Sequence, residues 1–345
     1  MQESLFIATD NDVIAYLDLI AGLAPNLWTC PGIGAMLFTR SKTLPGEDRI
    51  MTVTIEPIKP LVGGKVIVDK AHLTDPDVVE AIRAALEERG VLVFPQIDLS
   101  DAEQLALTDA LGDRVNFTRR VPGSDVSAGD VYKITLDKTV NTEPDYVLGT
   151  FFWHVDGVTI DQPLPKATLL SARKLSAEGG ATEFANLYAA YDKLSDEEKQ
   201  QYDGMRVIHT IEASVRPVFG IPPQERLDRW RSMAAAMDQP LVWTHEDGRK
   251  SLLLGSHADG IVGMPNPHGR ALLWRLQQWA AQPEFVYTHH WQVGDFVIWN
   301  NQGLMHRVVP YTDTGRVMHR TTLAGKERPG RPAPEGTYEK LLEVG

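Results

Sequence analysis

Apolar and polar positions alternate along much of this chain with the period of a strand, and shift to the period of a helix in only a few places. Met51-Thr52-Val53-Thr54-Ile55 alternates strictly, the pattern of a half-buried strand, and Lys65-Val66-Ile67-Val68 reads as another. From Asp75 to Arg89 the apolar residues fall instead at Val78, Val79, Ile82, Ala85 and Leu86, one face of a helix, with Asp75 and Asp77 in its first turn and Gly90 as its stop. Val91-Leu92-Val93-Phe94 is apolar throughout and predicts a strand buried on both faces. Asp101 is expected to cap a helix from Ala102 to Leu111.

Farther on, Ala167 to Ala172 reads as a strand, and Gly179-Gly180 turns the chain into another at Ala181 to Ala185. Ser195 followed by Glu198 marks a capped helix start, and Arg270 to Ala281 is amphipathic. Residues 222–240 form a connector, proline-rich and then helical. Trp291 to His306 predicts strand, Gly-Asp turn, strand; Arg316 to Leu323 predicts a final strand; Gly330 to Pro334 reads as a loose tail. Residues 112–150 are polar and turn-rich, which suits a substrate lid or an ordinary surface loop equally. Many short strands with a few helices outside predict a mixed α+β chain with a mainly β core, a double-sheet jelly roll. A doubly wound parallel sheet fits less well, because no Gly-rich phosphate turn follows a strand.

Composition narrows the function. At 345 residues and 43% hydrophobic the chain can bury a sizeable core. Its formal net charge of −12 argues against nucleic acid as partner. The single cysteine, Cys30, excludes a disulfide framework and fits a reducing cytoplasm. No run approaches the roughly 20 apolar residues needed to cross a bilayer, and the acidic N-terminus is not a secretory signal. Residues 1–50 differ in character from the rest. They are read as an N-terminal extension, with an artefact of the start codon chosen as the alternative, before a domain spanning 51–330 and a tail over 331–345.

The chemistry concentrates in two places. In Phe151-Phe152-Trp153-His154-Val155-Asp156-Gly157, an imidazole and a carboxylate stand at i and i+2, on one face of an extended chain. A second imidazole, His306, follows Trp299-Asn300-Asn301 and is expected at a strand end. Two His and one carboxylate on one face form the ligand set of non-haem Fe(II) oxygenases. Taken alone, the triplet also fits a buried histidine bonded to a loop carboxylate. Ten residues beyond His306 stands Arg316, then Arg320, an even number apart and so on one face of a strand, where a buried guanidinium suits a carboxylate. His209 is read as a core histidine satisfied by backbone, and His245, His257, His289 and His290 as surface or structural.

These segments carry a resemblance. Trp153-His154-Val155-Asp156, Gly179-Gly180-Ala181-Thr182 with Phe184 to Tyr191, Gly294-Asp295 through Met305-His306-Arg307, and Arg316 to Arg320 occur in the order of the taurine dioxygenase / dichlorophenoxyacetate dioxygenase (TauD/TfdA) family of Fe(II)- and 2-oxoglutarate-dependent oxygenases. The chain resembles that family from about Met51 to about Gly325. The resemblance implies a double-stranded β-helix, iron held by His154, Asp156 and His306, and the distal carboxylate of 2-oxoglutarate held by Thr182 and Arg316. It implies that Arg320 lies deeper, facing the cosubstrate or an anionic group of the substrate. The implied reaction is hydroxylation by O2 of a small organic anion, with release of succinate and CO2, and cleavage where the hydroxylated carbon bears a heteroatom. A homo-oligomer is expected. The family pattern Trp-Asp-Asn appears here as Trp299-Asn300-Asn301, which places a supporting contact in question. Two readings from other classes are a metal-dependent hydrolase using the same His/Asp/His site and a non-catalytic jelly-roll binding protein.

Overall fold

The alternation of apolar positions builds two facing sheets. A computed structural model describes residues 53–115, 131–141, 145–220 and 222–342, within the unit of the chain that runs from Thr39 to Gly345. The proposed extension (1–50), much of the proposed lid (116–130 and 142–144) and the end of the tail (343–345) lie outside the described residues. In chain order the strands are β1 (Val53–Pro57), β2 (Gly64–Val68), β3 (Val91–Phe94), β4 (Tyr132–Ile134), β5 (Ala167–Lys174), β6 (Thr182–Asn186), β7 (Arg206–His209) and β8 (Met237–Pro240). They continue with β9 (Val242–Thr244), β10 (Lys250–Leu252), β11 (Ala258–Ile261), β12 (Val286–His289), β13 (Phe296–Asn300), β14 (Leu304–Val308), β15 (Val317–Leu323) and β16 (Arg331–Pro332).

The large sheet runs β1-β2-β3-β13-β5-β15-β4, and β12-β6-β14 form the smaller one. Their side chains share one core. Val91, Val93, Leu170, Ala172, Val297, Trp299 and Met318 come from the large sheet, and Phe184 and Leu304 from the small. The residues between them on the same strands, Leu92, Phe94, Leu169, Phe296 and Ile298, face the other way onto the helices Pro76–Arg89 and Asp101–Leu111. The central strands are therefore covered on both faces, which is why β3 is apolar at every position. The architecture is the jelly roll with flanking helices that the pattern predicted. The remaining strands form a four-stranded sheet, β11-β7-β8-β16, and the pair β10-β9.

Four local expectations change. The helix after Leu99 begins at Asp101 and is capped by Ser100, not Asp101, because Ser100 and Glu103 form a reciprocal capping box. Asp101 instead pairs with Arg173 and His319. The strand expected from Trp291 lies earlier, at β12, because the Asp295 carboxylate accepts the amides of Gln96 (2.9 Å) and Gln292 (2.7 Å) and closes a turn there. The later helix starts at Asn266, one turn before Arg270, with proline in its first turn. The stretch expected as a loose tail joins a sheet, Arg331 pairing with Asp238.

Candidate metal centre

His154 and His306 meet through an isolated bridge. The His154 amide donates to the His306 carbonyl (3.0 Å) and the His306 amide to the His154 carbonyl (2.9 Å). Paired residues of an antiparallel ladder present their side chains on the same side, and the ring centroids lie 4.2 Å apart. His154 is thus not in a regular strand, contrary to expectation. The chain turns at once through Asp156 and Gly157, and that turn brings the carboxylate round. His306 is the central residue of β14 rather than a strand end. The constellation expected from the sequence nonetheless forms. One ligand atom from each of His154, Asp156 and His306 lies within 4.8 Å of the others. His154 Nε2 is 3.8 Å from Asp156 Oδ1, and His306 Nε2 is 3.9 Å from Asp156 Oδ2. These separations exceed a hydrogen bond and leave the space of one ion.

The donor chemistry fits a metal. His154 Nδ1 lies 2.8 Å from the Phe152 carbonyl, so that nitrogen carries the proton and Nε2 keeps its lone pair. Nδ1 of the buried His306 has no hydrogen-bond partner among the described residues. Burial pushes His154 below the usual imidazole value, against the pull of Asp156, and pushes His306 well below it. Burial opposes ionisation of Asp156 as well. Arg320, His306, His154 and the Thr168 hydroxyl outweigh it and hold that carboxyl well below the usual carboxylate range. Neutral imidazoles and an ionised carboxylate are the protonation states that coordinate. Two nitrogens and one oxygen suit Fe(II), with further positions left for other ligands.

Thr168 and Asn301 fix the carboxylate. Thr168 Oγ donates to Asp156 Oδ2 (2.8 Å) and accepts from Asn301 Nδ2 (2.9 Å). A polar residue inside the apolar run Ala167 to Ala172 was the available signal. Asn300, where the family pattern has aspartate, accepts the Gln302 amide (3.0 Å) and donates to Glu87 (3.2 Å). The departure therefore falls at the end of β13 and touches none of the three candidate ligands.

The two arginines have separate surroundings. Arg320 Nη2 lies 2.8 Å from Asp156 Oδ2 and 3.4 Å from Thr168 Oγ, so it faces a candidate ligand. Arg316 is 2% exposed. It donates to the Gly180 carbonyl (3.1 Å) and lies 4.7 Å from the Tyr311 ring centre, with no partner for its Nε. No carboxylate among the described residues lies within ion-pair distance of it. Beside it is a cavity of about 100 Å³ lined by Gly179, Gly180, Ala181, His290 and Trp291. Gly180, at φ +76°, makes room: a Cβ there would sit 3.0 Å from Arg316 Nε. Trp291 Nε1 donates to Thr182 Oγ at 2.9 Å, tying Thr182 to the same corner. On β6 and β14, Thr182 pairs with Val308 and Phe184 with His306, so Thr182 stands one step from the metal centre.

Of the other histidines, His209 is buried but bonded to the His257 ring rather than to backbone. His245 is held by Glu327 and Ser251. His257, read as surface or structural, is buried and accepts the Val155 amide.

The sequence profile described as "Taurine catabolism dioxygenase TauD, TfdA family" matches residues 54–322. An alpha-ketoglutarate-dependent 2,4-dichlorophenoxyacetate dioxygenase of Burkholderia sp. (strain RASC) is 33% identical over 291 residues, 80% of this chain and 96% of that protein. An alpha-ketoglutarate-dependent sulfate ester dioxygenase of Pseudomonas putida is 30% identical over 259 residues, 73% of this chain and 82% of that protein. The crystal structure of AAD-2 in complex with Mn(II) and N-oxalylglycine superposes with a TM-score of 0.66 at 33% identity, covering 81% of this chain and 99% of the other. Motif order, jelly roll and similarity over most of the sequence agree, and the chain belongs to the TauD/TfdA dioxygenase family.

Proposed function

We propose that His154, Asp156 and His306 hold the ferrous ion of this 2-oxoglutarate-dependent dioxygenase, and that Thr182 and Arg316 receive the distal carboxylate of 2-oxoglutarate. The substrate on this reading is a small organic anion, with Arg320 facing it or the cosubstrate. The observation that carries the proposal is Arg316. A buried guanidinium without a carboxylate partner is costly, and a dicarboxylate reaching from the metal centre would supply the missing anion through a charge-assisted pair. Thr182 adds a hydroxyl donor beside it.

Bound iron supplies the oxygen chemistry, coupling decarboxylation of 2-oxoglutarate to succinate and CO2 with hydroxylation of the substrate. The chain itself orients and excludes water. Thr168 and Arg320 hold the Asp156 carboxylate, and Trp299 and Phe184 pack against the His306 ring. Where the hydroxylated carbon bears oxygen, nitrogen or sulfur, the product collapses and the bond to that atom breaks. A hydrolase with a metal-bound water has no use for Arg316 and Thr182, and a binding protein has no need of all three candidate ligands. The relatives named above act on a phenoxyacetate and on sulfate esters, both anions, which supports an anionic substrate here.

No helix among the described residues is long and apolar enough to cross a membrane. A homo-oligomer in the cytoplasm completes the proposal, and light scattering checks the first part. The direct test of substrate class is succinate release from 2-oxoglutarate in the presence of phenoxyalkanoates, sulfate esters and sulfonates, each beside its uncharged analogue. Stimulation by anions alone is expected. Equal stimulation by the uncharged analogues would remove Arg320 from substrate recognition.

A further inference from the structure

We infer that His257, with His209 behind it, is a positioning residue of the metal centre: it holds the backbone between His154 and Asp156. The inference rests on those two residues being ligands and concerns a pair of imidazoles that touch neither the metal space nor the Arg316 cavity.

The Val155 amide donates to His257 Nε2 at 3.0 Å. A ring nitrogen that accepts carries the lone pair, so the His257 proton is assigned to Nδ1. That Nδ1 lies 2.7 Å from His209 Nδ1. His257 therefore donates to His209, whose own proton is assigned to Nε2. Every tautomer in the chain from Val155 to His209 follows from the first bond. Both rings are buried, and burial pushes His209 down to about 3 and His257 well below its usual value, so each carries a single proton.

The relay is one half of a clip. The Ser256 amide donates to the Trp153 carbonyl at 2.7 Å. Residues 256 and 257 thus hold the peptide chain on both sides of His154. Gly255 permits this approach: a Cβ on it would lie 2.6 Å from His257 Nε2 and 3.0 Å from the Trp153 carbonyl oxygen. The far side is pinned at the end of β7, where Ala258 pairs with His209 and the amide of the next residue, Thr210, donates to the His257 carbonyl (2.9 Å).

The ligand loop needs such support. His154 belongs to no regular strand and is fixed to β14 by one isolated bridge. Nothing in that bridge sets the peptide that follows, which decides where Asp156 points. Packing alone does not account for the imidazoles. His209 Nε2 is buried without a partner, whereas aliphatic side chains would fill the space and strand no polar atom. Their presence is explained by the bond they deliver to Val155.

The test uses the full-length protein, with Mn(II) as probe and the free ion followed by electron paramagnetic resonance. Hydrogen exchange of the metal-free protein is read at the peptide containing Val155 and at β13. His257→Leu should weaken Mn(II) binding at least about tenfold, the scale of lost outer contacts at metal sites. It should also speed exchange at Val155 while β13 stays protected. His257→Gln, whose amide oxygen can take the Val155 N–H, should recover most of both. His209→Leu should give a smaller loss that His209→Asn reverses, which keeps the test decisive if His257→Leu does not fold. Wild-type affinity and exchange in the leucine variants would overturn the inference, as would equal losses in the leucine and glutamine or asparagine variants, or exchange that rises equally in β13. Asp156→Ala is the control for the site itself. If wild type and Asp156→Ala bind Mn(II) alike, the ligand assignment fails, while the exchange measurement still decides the role of His257.

Discussion

The guanidinium of Arg320 lies 2.8 Å from Asp156 Oδ2, the oxygen that also accepts the Thr168 hydroxyl at 2.8 Å. With two donors on Oδ2, the carboxylate is held in one orientation and its Oδ1 faces His154 Nε2. Asn301 in turn holds Thr168. Thr168→Val keeps the shape and removes the hydroxyl, so it isolates this support. Metal affinity is expected to fall by about 10- to 100-fold. Stability is expected to fall by about 1–3 kcal/mol, because the buried Asn301 amide loses its acceptor. Titration with Mn(II) and thermal melting check the two parts; unchanged affinity would mean that Arg320 alone orients the carboxylate.

Arg316 makes a prediction with two opposite signs. Burial lowers its pKa and disfavours its charge, and no carboxylate among the described residues compensates it. Arg316→Met removes the buried charge at similar length. The unliganded protein should therefore melt no lower than wild type, and higher if the charge dominates. The 2-oxoglutarate concentration for half-maximal succinate formation should rise roughly ten- to a hundredfold, the equivalent of the 1.5–3 kcal/mol of a charge-assisted bond. Calorimetry of the metal-free protein and a 2-oxoglutarate titration separate the effects. An unchanged 2-oxoglutarate requirement would move the anchor elsewhere.

Much of this was legible in the sequence. The strand β3 was readable because burial on both faces leaves an unbroken apolar run. The convergence of His154, Asp156 and His306 was readable because motif order constrains it. What was not legible was set by tertiary contact. The Asp295 carboxylate closes the turn that moves a strand from Trp291 back to β12. Asp156 reaches the metal space by a turn, where the spacing alone suggested a strand. Thr168, Asn301 and His257 act through partners more than one hundred residues away or across sheets, which no local pattern records.

The helix Asp101–Leu111 braces the outer side of β15, where Thr108 bonds Thr321 at 2.9 Å, and its cap makes a pH prediction. The Ser100 amide and hydroxyl, with Lys70, push the Glu103 carboxyl down to about 2 from 4.5. A carboxyl whose folded value is depressed contributes stability that is complete above the unfolded value and lost as pH falls through the folded one. The contribution is therefore expected to disappear between about pH 4.5 and about pH 2. Glu103→Gln should flatten that part of the melting-temperature profile, and Ser100→Ala should cost about 1 kcal/mol at neutral pH. A profile for Glu103→Gln parallel to wild type would show that other carboxyls govern acid unfolding.

The central claim is that His154, Asp156 and His306 form an iron site that couples 2-oxoglutarate to oxygen. Its most direct test is succinate formation by the purified protein with Fe(II), 2-oxoglutarate and ascorbate, in air and under argon, beside Asp156→Ala. Succinate is expected only from the wild-type protein in air. Succinate from Asp156→Ala at the wild-type rate, or turnover under argon, would contradict it.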